Sequence, residues 1–206
     1  MIDSVINALQ NNKIGIIEHD TVPGIIARMT EENAKRINQI KSRDENKGFI
    51  ILIPNQSYLA KLASTIPFAA EPLISEFWPG PLTLILKKHP KIPSLITGNK
   101  DTIAVRYPNH PLLNNILNEL NEPIISTSAN ISGQANISNK LMQTIDFTYG
   151  KIEQINTNIL ASTIVDVTQK SLKILRQGTV NIPIKTPKKR QKPDQESKSK
   201  LKSPDK

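Results

Sequence analysis

The sequence predicts one α/β domain built on a twisted, partly parallel sheet with flanking helices. Three observations carry that reading. Short apolar runs alternate with longer amphipathic stretches from the N-terminus to about residue 180, with no internal repeat. The 206 residues are 37% hydrophobic and only 4% aromatic, enough for one sizeable, aliphatic core. Third, the polar stretch Ser126-Thr-Ser-Ala-Asn-Ile-Ser-Gly133 follows the apolar run Pro123-Ile-Ile125. Small polar groups placed beyond a strand are where open α/β sheets receive ligands; taken alone, the same residues equally signal a plain turn.

The elements follow in order. Val5, Ile6 and Leu9 make a helical stripe over residues 3–11, and residues 13–18 read as a buried strand. His19 to Gly24 is a turn, with a short strand after it at 25–27. Thr30 caps a helix with Glu31 and Glu32 in its first turn, which suits the helix dipole, and Ala34, Ile37 and Ile40 point inward as far as Lys41. A central strand is expected at 48–54, then helices near 56–64 and 68–77. Strands at 82–86 and 102–107, a helix at 110–120 and strands near 163–167 and 172–176 complete the pattern.

Composition removes several classes of chemistry. The chain has no cysteine, so disulfides, thiolate metal sites and cysteine nucleophiles are excluded. The first ten residues lack the basic and apolar regions of a signal peptide, and no apolar run approaches the roughly 18 residues that span a bilayer. A cytoplasmic protein is expected. The net charge of +9 is unevenly spread: residues 185–206 hold nine Lys/Arg against three Asp/Glu, which leaves +3 for the other 184 residues. We therefore divide the chain into a domain at 1–184 and a basic, disordered tail at 185–206, too polar to offset its own ordering entropy. Such a tail is either a solvated extension or a loose contact for nucleic acid.

The glycine-rich phosphate loops of P-loop and dinucleotide-binding proteins are absent, as is a nucleophile elbow. His19, His89 and His110 lie far apart without metal-ligand spacing, and no metal-binding residue is assigned. Lys41, Arg43 and Lys47 instead put three positive charges into seven residues between a helix and a strand. They suit polyphosphate oxygens, or else pair with Asp44 and Glu45 on an exposed loop. Arg106 ends a buried strand, where a charge is costly unless paired, so it either binds an anion or forms an internal ion pair. Trp78, in a Trp-Pro-Gly-Pro corner, reads as a core residue. Ser162, Thr163 and Arg176 add hydroxyls and a cation near later strands.

Seven segments in this order resemble a known family. They are Asp20-Thr21-Val22-x-Gly24, Lys41-x-Arg43-x3-Lys47-Gly48, Trp78-Pro-Gly-Pro-x-Thr83, Ala104-Val-Arg-Tyr-Pro108, the 126–133 stretch, Ser162-Thr-Ile-Val-Asp166 and Leu175-Arg-x-Gly178. Together they resemble the YrdC-like threonylcarbamoyl-AMP synthases of the short, single-domain type, over residues 5–180. The resemblance implies an α/β sheet around a basic cavity. It also implies a nucleotidyltransferase reaction: L-threonine, bicarbonate and ATP give threonylcarbamoyl-adenylate and pyrophosphate, for N6-threonylcarbamoyladenosine at tRNA position 37. It implies that Lys41, Arg43, Lys47, Ser128 and Asn130 are catalytic. Mg²⁺ would arrive with ATP, held mainly by phosphate oxygens. Thr21 and Ser126 would bind substrate, with Arg106 or one of the cluster cations on the threonine carboxylate, Ser162 on its hydroxyl and Arg176 on the nucleotide. Partners would be tRNA or double-stranded RNA and the proteins that transfer the threonylcarbamoyl group.

The chain departs from the family at the first turn. The usual reading there is Pro-Thr-Asp/Glu-Thr-x-Tyr-Gly; here Glu18 and His19 replace the proline and threonine, and Pro23 replaces the aromatic residue. The second reading this leaves open is a non-catalytic nucleotide- or RNA-binding relative; a third is a carbamoyl-transfer paralogue.

Overall fold

In the computed structural model, which describes residues 2–130, 137–152 and 160–183, nine strands form one mixed sheet. Before its central crossing lie helix α1 (Ile2–Gln10), strands β1 (Gly15–Ile17) and β2 (Gly24–Arg28), helix α2 (Glu31–Lys41) and strand β3 (Ile50–Leu52). Short helices α3 (Leu59–Leu62) and α4 (Glu71–Phe77) lead to β4 (Leu82–Lys87) and β5 (Thr102–Arg106). Helix α5 (Pro111–Leu120), β6 (Ile124–Ser128), α6 (Asn139–Thr144), β7 (Phe147–Tyr149), β8 (Thr163–Asp166) and β9 (Lys173–Arg176) follow. The strand order is β7-β1-β2-β6-β3-β5-β4-β8-β9. The β1–β7, β3–β5 and β4–β8 pairs are parallel and the other five are antiparallel.

Alternation along the central strands divides the interior into two cores. Ile25, Ile51 and Ile125 face one side with Ala34 and Ile37 of α2. Ile26, Leu52 and Ile124 face the other with Val5 and Leu9 of α1 and Leu113, Ile116 and Leu117 of α5. Trp78 is buried as expected and donates from Nε1 to the Leu82 carbonyl at 2.7 Å.

Three differences from the sequence reading have local causes. The polar stretch begins inside β6 rather than after it. Gly24 to Arg28 pair with it residue for residue, and β3 holds the other edge of Ile124 to Ser126, so it is the ladder to β2 that overrides the turn preference of Thr127 and Ser128. The helices expected near 56–64 and 68–77 each open with a 3₁₀ turn, at Gln56–Tyr58 and Phe68–Ala70. Helix α6 and edge strand β7 were not expected; both are short and half exposed, so they leave little periodic signal. The tail from residue 185, its domain boundary and the end of the polar stretch, Ile131 to Gly133, lie outside the described residues.

Helix α2 matters most for the site. Thr30 has extended backbone and accepts from the Asn33 N–H at 3.2 Å. At the other end Ser42 takes a left-handed conformation, φ 47°, and its N–H closes on the Asn38 and Gln39 carbonyls. The buried stripe Ala34, Ile37 ends one turn later on Lys41. Thr30→Ala should lower the unfolding free energy by about 1 kcal/mol and Thr30→Ser should retain it. Urea denaturation midpoints read the difference, and an unchanged midpoint in the alanine variant would show that the cap adds nothing.

Candidate active site

Lys41 is 1% exposed, and its ammonium lies against the end of β6. It donates to the Ser128 carbonyl, to the Asn130 carbonyl and, at 3.2 Å, to Asn130 Oδ1. An ammonium has three N–H groups, so all three are engaged. Burial, then the neighbouring Arg43, pushes its pKa down to about 8. The carbonyl acceptors favour the charged form and oppose that shift. Ser128 Oγ donates to Asn130 Oδ1 at 2.5 Å, so the Ser-x-Asn turn is tied both to itself and to the end of α2.

Arg43 follows the left-handed cap residue and reaches β6 from the loop. It donates to Thr127 Oγ1 at 3.1 Å and to the carbonyls of Gly48 at 2.7 Å and Lys47 at 3.2 Å, and its guanidinium carbon lies 5.2 Å from the centre of the Phe49 ring. The chain must pass close here: a Cβ on Gly48 would stand 2.7 Å from the Thr97 carbonyl oxygen. Arg106, 3% exposed at the end of β5, resolves its two readings partly in favour of an internal pair. It binds Asp20 Oδ1 through Nη2, Thr21 Oγ1 at 3.0 Å and the Gly80 carbonyl at 3.0 Å. Asp20 also accepts from the Asn109 N–H at 3.0 Å, which fixes the first turn against the connection into α5. On β9, Arg176 donates to the Ser162 carbonyl and to Ser162 Oγ, both at 3.0 Å; Ser162 Oγ is also 2.9 Å from Thr83 Oγ1.

These groups meet in one cavity of about 230 Å³. Arg43, Arg106 and Arg176 all line it, together with Thr21, Ser126, Thr127, Ser128 and Ser162, and among the described residues no carboxylate does. Three guanidiniums facing one space without a counter-charge on its wall make an anion site. Burial disfavours the charge on each arginine, and Arg106 adds to that effect on Arg176. A bound anion would relieve both costs. The chain therefore brings Thr21, Arg43, Arg106, Ser126, Ser128, Ser162 and Arg176 together. Lys41 and Asn130 stand behind the lining, and the exposed Lys47 contributes its carbonyl to Arg43.

A family model, Sua5_yciO_yrdC, described as telomere recombination, matches residues 7–178. The chain belongs to the Sua5/YciO/YrdC family. It is similar to the threonylcarbamoyl-AMP synthase of Pyrococcus abyssi, 40% identical over 176 residues, which cover 82% of this chain and 52% of that protein. A putative threonylcarbamoyl-AMP synthase of Methanocaldococcus jannaschii is 34% identical over 84% of this chain and 83% of its own length. Among solved structures, P. abyssi Sua5 complexed with L-threonine superposes with a TM-score of 0.77 at 33% identity, covering 86% of this chain and 54% of that one. This chain thus spans about half the length of the P. abyssi relative.

The sequence reading missed two wall residues. Thr127 was passed over between two serines, yet it is the hydroxyl that Arg43 holds. His19 was read as a turn residue and a departure from the family pattern, with no site role. It is 8% exposed, lines the cavity, and its Nε2 has no hydrogen-bond partner among the described residues. Its neighbour Glu18 turns away and accepts from the Lys151 N–H at 3.0 Å. Burial and the adjacent Arg106, opposed by Asp20 and joined by His110, lower the His19 pKa from 6.5 to about 3.

Two outcomes follow. Between pH 6.5 and 3 the unfolded chain binds a proton at His19 that the folded chain refuses. Stability from this group is therefore complete above pH 6.5 and declines below it, by up to about 1.4 kcal/mol per pH unit. Melting curves at pH 7 and pH 5 should show a smaller loss in His19→Gln; equal losses would show that His19 is not held neutral. Lys41→Met leaves the part-buried Ser128 and Asn130 carbonyls without their donor, which costs about 1 kcal/mol per hydrogen bond lost. Amide hydrogen exchange at residues 126–130 should accelerate in that variant, and unchanged protection would contradict the anchoring role.

Proposed function

We propose that this chain makes L-threonylcarbamoyl-adenylate from L-threonine, bicarbonate and ATP and releases pyrophosphate. The observation that carries the reading is the convergence of Arg43, Arg106, Arg176 and the β6 hydroxyls on one cavity, in a chain of this family. The names of the relatives and the threonine-bound P. abyssi structure support it.

The reaction asks mainly for positioning and for positive charge. The threonine amine takes up bicarbonate as a carbamate, with loss of water. A carbamate oxygen attacks the α-phosphorus, the bond from that phosphorus to the β-bridging oxygen breaks, and pyrophosphate departs in line. Arg43, braced by Thr127, Gly48 and Lys47, directs its charge at the phosphate oxygens. Ser128 and Asn130 orient phosphate or carbamate oxygens. Lys41 positions that pair from behind, because its own donors are spent on the turn. Lys47 adds charge at the mouth. Arg106 uses three of its five N–H groups on Asp20, Thr21 and Gly80, leaving two for the threonine carboxylate. Arg176 serves the nucleotide. Among the described residues no three His, Asp or Glu are grouped to hold a metal ion. Mg²⁺ in this reading rides on the nucleotide's own phosphate oxygens and offsets their charge.

No described helix is long and apolar enough to cross a membrane. A cytoplasmic enzyme that passes its adenylate to tRNA threonylcarbamoyl-transfer proteins, with the basic tail available for tRNA or double-stranded RNA, completes the proposal.

Purified protein with labelled threonine, bicarbonate and Mg-ATP should yield the mixed anhydride and pyrophosphate only when all three are present. Arg43→Ala should reduce turnover by roughly 10²–10³-fold with little change in melting temperature. Nucleotide binding without any product would favour the non-catalytic reading.

A further inference from the structure

The amino-acid end of the cavity contains one polar group that the proposed reaction leaves unused. His19 occupies the first turn, beside Arg106 and Asp20, and its ring forms part of the cavity wall. It is more than nine-tenths buried, and its Nε2 is without a hydrogen-bond partner among the described residues. That nitrogen lies where a side chain at Gly24 would begin: a Cβ there would stand 2.6 Å from Nε2 and 3.1 Å from Ser126 Oγ. The glycine therefore lets an imidazole nitrogen and a serine hydroxyl approach the same point of the wall. A buried, unpaired nitrogen costs about 1–3 kcal/mol, a cost that persists only if something repays it.

The chemistry of the wall narrows what repays it. Carboxylate and phosphate oxygens are served by the three guanidiniums, which a neutral ring cannot rival. An ammonium would meet the charge of Arg106 at this place. An uncharged hydroxyl remains, and it pairs with either tautomer because it both donates and accepts. Ser162, which the sequence suggested for this task, is 2% exposed and already engaged by Thr83 and Arg176.

Resting on the reaction proposed above, we infer that His19 is a specificity-determining residue: its imidazole, beside Ser126, hydrogen-bonds the side-chain hydroxyl of the bound amino acid. A site built to pair a hydroxyl rejects the analogue lacking it, because its own polar group is then left unsatisfied.

The test compares L-threonine with L-2-aminobutyrate, which has a hydrogen in place of the hydroxyl, in wild type, His19→Leu and His19→Asn. Wild type should prefer threonine by at least about 100-fold in kcat/KM. His19→Leu should lose most of that preference through a higher threonine KM, with the KM for ATP unchanged, and His19→Asn should recover part of it. A threonine preference that survives intact in a folded His19→Leu variant, confirmed by its melting curve, would overturn the inference while leaving the reaction in place. No adenylate from either amino acid in wild type, with no threonine-dependent rise in melting temperature, would overturn the reaction and this inference together.

Discussion

The site depends on a buried ammonium that holds two backbone carbonyls. Lys41 ends the apolar stripe of α2, and its three donors close on the turn that leaves β6. A lysine is rarely this buried unless its charge is paired or fully hydrogen-bonded. Here the partners are carbonyls and a carboxamide, so the charge fastens a helix end to a strand end. The strand ladders place β6 itself, and this link fixes the turn at its end. Ser128 bonds Asn130, and Arg43, two residues after Lys41, reaches Thr127 on the same strand.

The opposite side is organised by a second charge, Arg106, which is fixed differently. Its pairing with Asp20 and Thr21 draws the first turn against β5, and Asp20 extends the link to the start of α5. The sheet order makes this possible. β2 and β6 are neighbours, β3 joins them to β5, and β4 carries β8 and β9. Arg43, Arg106 and Arg176 come from distant parts of the chain and face one space because these strands lie side by side. The price in desolvation is offset by hydrogen bonds to carbonyls and hydroxyls, leaving positive potential directed inward.

Much of this was legible in the sequence. The alternation of apolar runs marked the strands from β1 to β9 apart from β7, while it was the family resemblance, not spacing, that put Lys41 and Arg43 with the Ser-x-Asn stretch. What was not legible depended on pairing partners. Nothing local says that Ser126 to Ser128 stay in a strand; the ladder to β2 decides that, with β3 pairing as far as Ser126. Nor does local sequence show that the Lys41 ammonium is spent on backbone, since carbonyls leave no trace in residue identity. His19 read as a turn residue because its burial follows from Arg106, Gly24 and Ser126, all remote in sequence or invisible to periodicity. Asp20 as the partner of Arg106, 86 residues away, was hidden for the same reason.

The central claim is that Lys41 anchors the wall while Arg43 and the β6 hydroxyls meet the ligand. A crystal structure with L-threonine and a non-hydrolysable ATP analogue tests it most directly. The account predicts phosphate oxygens within hydrogen-bonding distance of Arg43 and Ser128, with the Lys41 ammonium still on the Ser128 and Asn130 carbonyls. A triphosphate bound away from this cavity, or a Lys41 that leaves both carbonyls to reach the phosphates, would contradict it.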